Sequence, residues 1–418
     1  MKKILRPLVV ALLGSVSLFA QNAAGDVDFD KARQLFERQK SGQTLTADEL
    51  AYIERAKAQK GAKGAAQPSA NPSPASGGDI DMEKARSLHQ REQKGEKLTA
   101  DEQAYLNRAK EMRGGKGAKP GNAAPNQRKA PEHLPPLCDM KGSDRYEGED
   151  GGLYGGGSNV PPESHAKAAQ AQLARIQPLD VEGKPSANGK IVFVSISMSN
   201  ATQEFSFFKR EADAAPQKSP KLTIVDCAQG GQAMAEWVPP TGRPWEEAKR
   251  RLTQAGVSPL QVQTAWIKLA NKGPSGSLQE HGKKLEADTL AVLHNARALF
   301  PNLRIAYLGS RTYGGYANGG LNPEPYAYES AFPARWLIQR QIKGDAELAE
   351  AKSPLLLWGP YLWADGTSGR KLDSLVWERS DFVGDGVHPS ESSGRGKVSK
   401  LLLDFCTNDP LAKSWFVK

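Results

Sequence analysis

The sequence predicts an α/β protein, a doubly wound parallel sheet preceded by two small helical hairpins on flexible linkers. Three observations predict it. From residue 190 onward, short apolar runs alternate with longer amphipathic stretches, the order of a parallel sheet covered by helices. The first of those runs, 190–196, is continuously apolar, as a strand buried on both faces is. Nearer the N-terminus one segment occurs twice, 26–57 and 79–110, and Gly/Ala/Pro/Ser-rich sequence separates the copies.

Residues 1–20 read as a secretory signal. Lys2, Lys3 and Arg6 make a basic start, and an apolar run follows from Leu8 to Phe19. A run of about a dozen residues suits a signal core, whereas a membrane span needs roughly 20. Cleavage is expected after Ala20 or Ala24. No cysteine lies nearby to take a lipid, and no later run is long and apolar enough to cross a bilayer. The expectation is a secreted chain (periplasmic, cell-surface or extracellular) without a transmembrane anchor.

Each repeat, 26–57 and 79–112, reads as a helical hairpin. In the first, Ala32, Leu35 and Phe36 share a face, and Gly42 ends the helix. Thr46-Ala-Asp-Glu49 is a capping box, with Leu45 placed to staple onto the helix it opens. Two short helices bury little area, so each unit is marginal alone. The repeats read as spacers or weak docking units for a cell-wall or matrix polymer. The linkers, 58–78 and 113–137, lack the composition to form a core.

The large domain, 138–418, supplies the sheet. Strands are expected at 190–196, 222–227, 262–267, 303–308 and 354–358. Helices are expected at 200–213, 230–236, 244–255, 278–299, 326–342 and 391–407. In such sheets ligands bind beyond the carboxyl ends of the strands.

Charge and cysteine content limit the function classes. The formal charge of +9 falls largely on linker residues such as Lys60, Lys116 and Arg128. Aromatics are not interleaved with the basic runs, so no nucleic-acid partner is expected. The three cysteines, Cys138, Cys227 and Cys406, fit no metal-ligand spacing. A Cys138–Cys406 disulfide would pin the start of the domain to its last helix, while Cys227 reads as a buried thiol.

At the strand ends the chemistry collects. After the first strand stands Ser197-Met198-Ser199. A serine at a strand-to-helix turn presents a hydroxyl that can attack and an N–H that can hold an oxyanion. After the second stands Ala228-Gln-Gly-Gly231-Gln-Ala233, where a glycine amide can approach a ligand. After the third comes Asn271, whose carboxamide could serve the same oxyanion. After the fourth comes Gly309-Ser-Arg311-Thr-Tyr313-Gly-Gly-Tyr316, a polar aromatic loop suited to a hydroxyl-rich ligand. Near the C-terminus, Asp385-Gly-Val-His388-Pro389 sets a carboxylate three residues before a histidine. That carboxylate can fix the imidazole tautomer of a general base.

This order resembles the SGNH (GDSL-type) hydrolases over about residues 185–410. The last block, Asp385-x-x-His388-Pro389, matches that family closely. Ser197 and Met198 stand where the family has glycine and aspartate, and Leu269 and Lys272 replace two residues of its third block. The resemblance implies a flavodoxin-like three-layer α/β/α domain of SGNH-hydrolase type. It implies Ser199 as nucleophile, with Ser197 the competitor, His388 as base and Asp385 as its orienting carboxylate. Gly231 and Asn271 become oxyanion donors, and Arg311 and Tyr313 substrate contacts. No metal or cofactor is needed for that chemistry. The family's substrates range over lipids, acyl thioesters and acetylated carbohydrates. Tyr313, Tyr316, Trp336, Trp358, Tyr361 and Trp363 suggest aromatic platforms for sugar rings, which favours polysaccharide deacetylation. The alternatives are a lipase or acyl-ester esterase, and a degenerate glycan-binding module on the same fold. His133 and His165 are expected in solvent-facing loops.

Overall fold

The computed structural model of the chain describes residues 31, 35, 38, 45–62, 88, 99, 102, 105 and 128–418. The expected signal segment 1–20 lies outside them, as does most of both repeats and linkers. The chain divides into two compact units, Met1–Asp79 and Ile80–Lys418.

In the first unit, helix α1 (Ala47–Ala62) opens on the expected capping box. The Thr46 N–H donates to Glu49 Oε2 at 2.9 Å, and the Glu49 N–H donates to Thr46 Oγ1 at 3.3 Å. Leu35, Ile53 and Ala56 are buried, and Arg38 pairs with Glu49 at 2.9 Å. The second copy carries the same box in the second unit, where Thr99 and Glu102 exchange bonds at 2.9 and 3.3 Å. Helix α1 runs on into the first linker as far as Ala62 because its Ala- and Lys-rich sequence still favours helix.

The second unit holds a five-stranded, all-parallel sheet: β1 (Ile191–Ser197), β2 (Leu222–Asp226), β3 (Val262–Lys268), β4 (Ile305–Leu308) and β5 (Leu355–Trp358). Its order is β2-β1-β3-β4-β5. The strand order reverses between β1 and β3, which opens the crevice where such folds bind ligands. Every residue of β1 and β3 is buried, including Gln263, Thr264 and Lys268 of β3.

Side chains of each strand alternate between two cores. Val192, Val194 and Ile196 of β1 join Ala265 and Ile267 of β3 and Leu356 of β5 on one face. Ile191 and Phe193, with Trp266, Tyr307 and Leu357, enter the other. Helices α4 (Met234–Trp237), α5 (Arg243–Gln254), α6 (Lys283–Leu299), α7 (Tyr326–Glu329) and α8 (Ala331–Ile342) cover the first face. The second is covered by α2 (Glu163–Leu173), α3 (Ser199–Ala214), α9 (Gly394–Asn408) and α10 (Lys413–Phe416). Helix α5 shows the local logic. Pro244 sits in its first turn, Glu246 and Arg251 oppose the helix dipole at either end, and Trp245, Ala248 and Leu252 form its buried face.

Several expectations change. The three cysteines are free and buried. Cys138 and Cys406 lie in different core layers, with the sheet between them, so no Cys138–Cys406 bridge forms. His165 is buried in α2, with Nε2 2.8 Å from the Leu356 carbonyl oxygen. Residues 128–137, inside the second expected linker, pack onto the domain. Leu134 and Leu137 are buried, and Arg128 pairs with Glu147 and the buried Glu329. Trp336, Trp358, Tyr361 and Trp363 are buried in the core, so they offer no sugar platform. Among the described residues no helix is long and apolar enough to cross a membrane, and no cluster of His, Cys, Asp or Glu could hold a metal ion.

Candidate active site

The site forms where loops after β1, β2 and β3 meet the segment before α9. The chain leaves β1 through Met198 in extended conformation and turns directly into α3, so Ser199 occupies the first helical position. The first four N–H groups of a helix have no partner within it. Ser199 therefore carries a free amide as well as its hydroxyl. Ser197, two residues earlier, is fully buried, and its Oγ donates to the Lys268 carbonyl. The end of β1 thus commits Ser197 to the core, and the turn into α3 presents Ser199.

His388 arrives from a turn built around Asp385. Asp385 Oδ1 accepts the N–H groups of Val387 and His388 at 2.9 and 3.0 Å, and Oδ2 lies 2.6 Å from His388 Nδ1. Gly386 has φ +72°, and a Cβ there would come within 1.7 Å of the Tyr316 carbonyl oxygen, so only glycine fits. Asn318 locks the turn by donating its backbone N–H to the Asp385 carbonyl and its side chain to that of Gly384. His388 Nε2 then lies 2.7 Å from Ser199 Oγ. Burial acts to raise the Asp385 pKa, but hydrogen bonds from the His388 ring and from two backbone amides outweigh it. Together they hold the carboxyl at about 2. Asp385 is therefore a permanent anion behind the imidazole.

The cavity in front of Ser199 is about 50 Å³. It is lined by Met198, Ser199 and Asn200 after β1, by Gly231, Gln232 and Ala233 after β2, and by Ala270, Asn271 and Lys272 after β3. Arg311, Leu321, Asn322, Val387 and His388 complete it. Hydrogen bonds tie the loops together. The Gln229 N–H donates to the Ser197 carbonyl at 3.1 Å, and the Met234 N–H to that of Ala270 at 3.1 Å. Asp226 at the end of β2 accepts from Ser195 and Thr202. Met198, Ala233 and Ala270 form a small apolar cluster separate from both cores.

Gly231 has φ +78° and its Cβ position is open, so the backbone angle rather than crowding calls for glycine. Its N–H has no protein acceptor among the described residues, while its carbonyl accepts from Lys272 at 3.1 Å. Asn271 Nδ2 donates to Asp288 at 3.0 Å, which leaves its second N–H. Arg311 is buried and lines the cavity. Burial lowers its pKa, opposed by the charges of Glu204, Glu324 and Asp385.

The structure thus brings together Ser199, His388, Asp385, Gly231, Asn271 and Arg311. Tyr313 is not among the cavity residues. It is half-buried and packs edge-on to Tyr316, 5.1 Å between ring centres.

Two cavity residues escaped the sequence reading. Asn200 is buried, its Nδ2 has no acceptor, and its Oδ1 takes the Ala201 N–H. Asn322 donates to the Asn271 carbonyl at 3.0 Å from a left-handed backbone position, φ +58°. A polar side chain directly after a candidate nucleophile was a signal for the first. For the second, only the fold brings the loops together.

No family model matches this chain, and no curated protein matches it. Among solved structures, one from Bacteroides fragilis, provisionally described as an acylhydrolase, aligns with 60% of this chain and 100% of its own. The identity is 14% and the TM-score 0.31. Nothing about activity follows from a likeness of that size.

Proposed function

We propose that the chain is an exported serine ester hydrolase that removes acetyl groups from a carbohydrate. The observation that carries the reading is the continuous relay Ser199 Oγ–His388 Nε2, His388 Nδ1–Asp385, at 2.7 and 2.6 Å. A binding module has no use for an oriented base in contact with a hydroxyl at a helix N-terminus.

In this mechanism Ser199 Oγ attacks the acetyl carbonyl carbon and His388 Nε2 takes the hydroxyl proton. Asp385 holds the Nδ1–H and stabilises the imidazolium. The oxyanion faces the N–H groups of Ser199 and Gly231, aided by the Asn271 carboxamide. Collapse of the tetrahedral intermediate releases the sugar hydroxyl, which takes its proton from His388. Water, deprotonated by His388, then attacks the acetyl-enzyme and frees acetate and Ser199.

The lining of the cavity beside Ser199 supports a short acyl group. The apolar patch of Met198, Ala233 and Ala270 matches a methyl group. Leu321 and Val387 extend the apolar lining, while Asn200, Asn271, Asn322 and Arg311 offer polar groups to an oxygen-rich alcohol.

The test is hydrolysis of p-nitrophenyl acetate and an acetylated xylan by the full chain. Ser199→Ala and His388→Ala are expected to lose about 10³-fold or more in kcat/KM. Equal activity in the wild type and both variants, on every ester class tried, would overturn the reading.

A further inference from the structure

Among the described residues four cationic side chains are buried: Lys268, Arg311, Arg335 and Arg370. Three have carboxylate partners. Lys268 meets Glu204 at 2.5 Å, Arg335 meets Glu149 and Asp150 at 2.5 and 3.1 Å, and Arg370 meets Asp373 at 2.7 Å. Burying a charge is costly unless it is paired, and these three obey that rule. Arg311 does not. It is 5% exposed, yet it makes no ion pair among the described residues. Its Nε has no acceptor, and the one contact of Nη1 is the Met198 sulfur at 4.0 Å.

The carboxylates that act on Arg311 from a distance are already engaged. Glu204 is held by Lys268 and Asp385 by His388. Glu324 accepts from Trp363, Gly314 and Tyr328. The one buried cation without a partner is also the one that lines the cavity beside Ser199. No Asp or Glu lines that cavity. Asn200 adds a second buried donor without an acceptor, Nδ2. Lys272 stands at the rim, balanced by Glu236 at 2.8 Å.

A cavity with surplus donors, an unpaired guanidinium and no carboxylate is built for a ligand that brings negative charge. We infer that the substrate is an acetyl ester whose sugar also carries an anionic oxygen group, and that Arg311 pairs with that group. A sugar-acid carboxylate and a sulfate share this chemistry, and guanidinium recognises both. The inference rests on the hydrolase reading above and names its substrate class. Arg311 is on this account a specificity-determining residue.

The experiment compares three mono-acetylated methyl glycosides on the full chain: a glucuronide, the matched neutral glucoside, and that glucoside bearing a sulfate. A charge-assisted hydrogen bond contributes about 1.5–3 kcal/mol, so one charged ester should be preferred over the neutral one by about tenfold or more in kcat/KM. Which charged ester wins separates the carboxylate from the sulfate. Arg311→Met should bring the charged-to-neutral ratio close to one, and Arg311→Lys should keep part of the preference.

Equal wild-type rates on all three esters would overturn the inference. So would an Arg311→Met variant that loses rate on all three by the same factor, because that is the signature of a general oxyanion role. If the variant fails to fold, the wild-type ratio and its decline with added salt still decide the matter, since only the charged ester should be salt-sensitive. If the wild type hydrolyses no ester at all, the hydrolase reading fails. Calorimetric binding of unacetylated methyl glucuronide and sulfated glucoside against methyl glucoside then tests the anion site alone, and equal affinities would overturn it.

Discussion

The two turns that meet at the candidate site are built in opposite ways. The turn bearing His388 is shaped chiefly by its own residues, with Asn318 bracing it from outside: Asp385 binds the backbone of Val387 and His388 and the imidazole itself. Four consecutive residues fix the ring. The turn bearing Ser199 has no such internal scaffold, and no side chain caps α3. Its serine is placed by β1, by the burial of Ser197 beneath it and by the loops after β2 and β3. One turn is written locally, and the other exists only once the sheet has formed.

That difference decides what the sequence makes legible. The Asp385-x-x-His388-Pro389 pattern could be read directly because its geometry is local. The sheet was legible for a similar reason: uninterrupted apolar runs such as Ile191–Ile196 admit few other structures. Ser197 and Ser199 could be told apart only weakly, because the choice depends on which one faces the Lys268 carbonyl, a contact 71 residues away in the chain. The aromatic loops misled for the same reason. Trp358 and Trp363 are core residues whose indole N–H groups find partners, the Leu153 carbonyl and Glu324, and no local pattern announces burial of that kind. Asn322 and Arg311 likewise acquire meaning only when separate loops converge.

The comparison can be broken from its locally shaped side first. Asp385→Asn keeps the shape of the turn but removes the charge and favours the wrong imidazole tautomer. Esterase kcat/KM is expected to fall by about 10²–10⁴-fold, measured on p-nitrophenyl acetate. A loss under threefold would show that the turn does not orient the base.

Gly386→Ala attacks the same turn through its backbone. A Cβ has no room beside Tyr316, and φ +72° disfavours alanine. Destabilisation of about 1–3 kcal/mol and a clear loss of activity are expected together, by denaturant unfolding and by rate. Wild-type values for both would mean that the turn is looser than its hydrogen bonds indicate.

Two carboxylates sharpen the contrast by titrating in opposite directions. Hydrogen bonding holds Asp385 at about 2, below its usual 3.8. Its contribution to stability is present above 3.8 and is lost as pH falls through about 2. Burial lifts Glu324 to about 7 from 4.5, despite hydrogen bonds from Trp363, Gly314 and Tyr328 that favour the anion. Its contribution is complete below 4.5 and is lost as pH rises through about 7. Glu324→Gln should therefore flatten the decline of Tm between pH 5 and 8. An unchanged Tm profile would contradict that assignment.

The smallest effect on rate belongs to Ser197. Its hydroxyl bonds a backbone carbonyl, and it does not line the cavity beside Ser199. Ser197→Ala should cost about 1 kcal/mol of stability and leave kcat/KM within about threefold of wild type.

The central claim is that Ser199, activated by His388, is the nucleophile, and a covalent label tests it most directly. The full chain would be treated with a fluorophosphonate, digested, and its peptides sequenced by mass spectrometry. The account predicts a single adduct on Ser199 that disappears in His388→Ala. An adduct on Ser197, or no adduct on the folded wild-type protein, would contradict it.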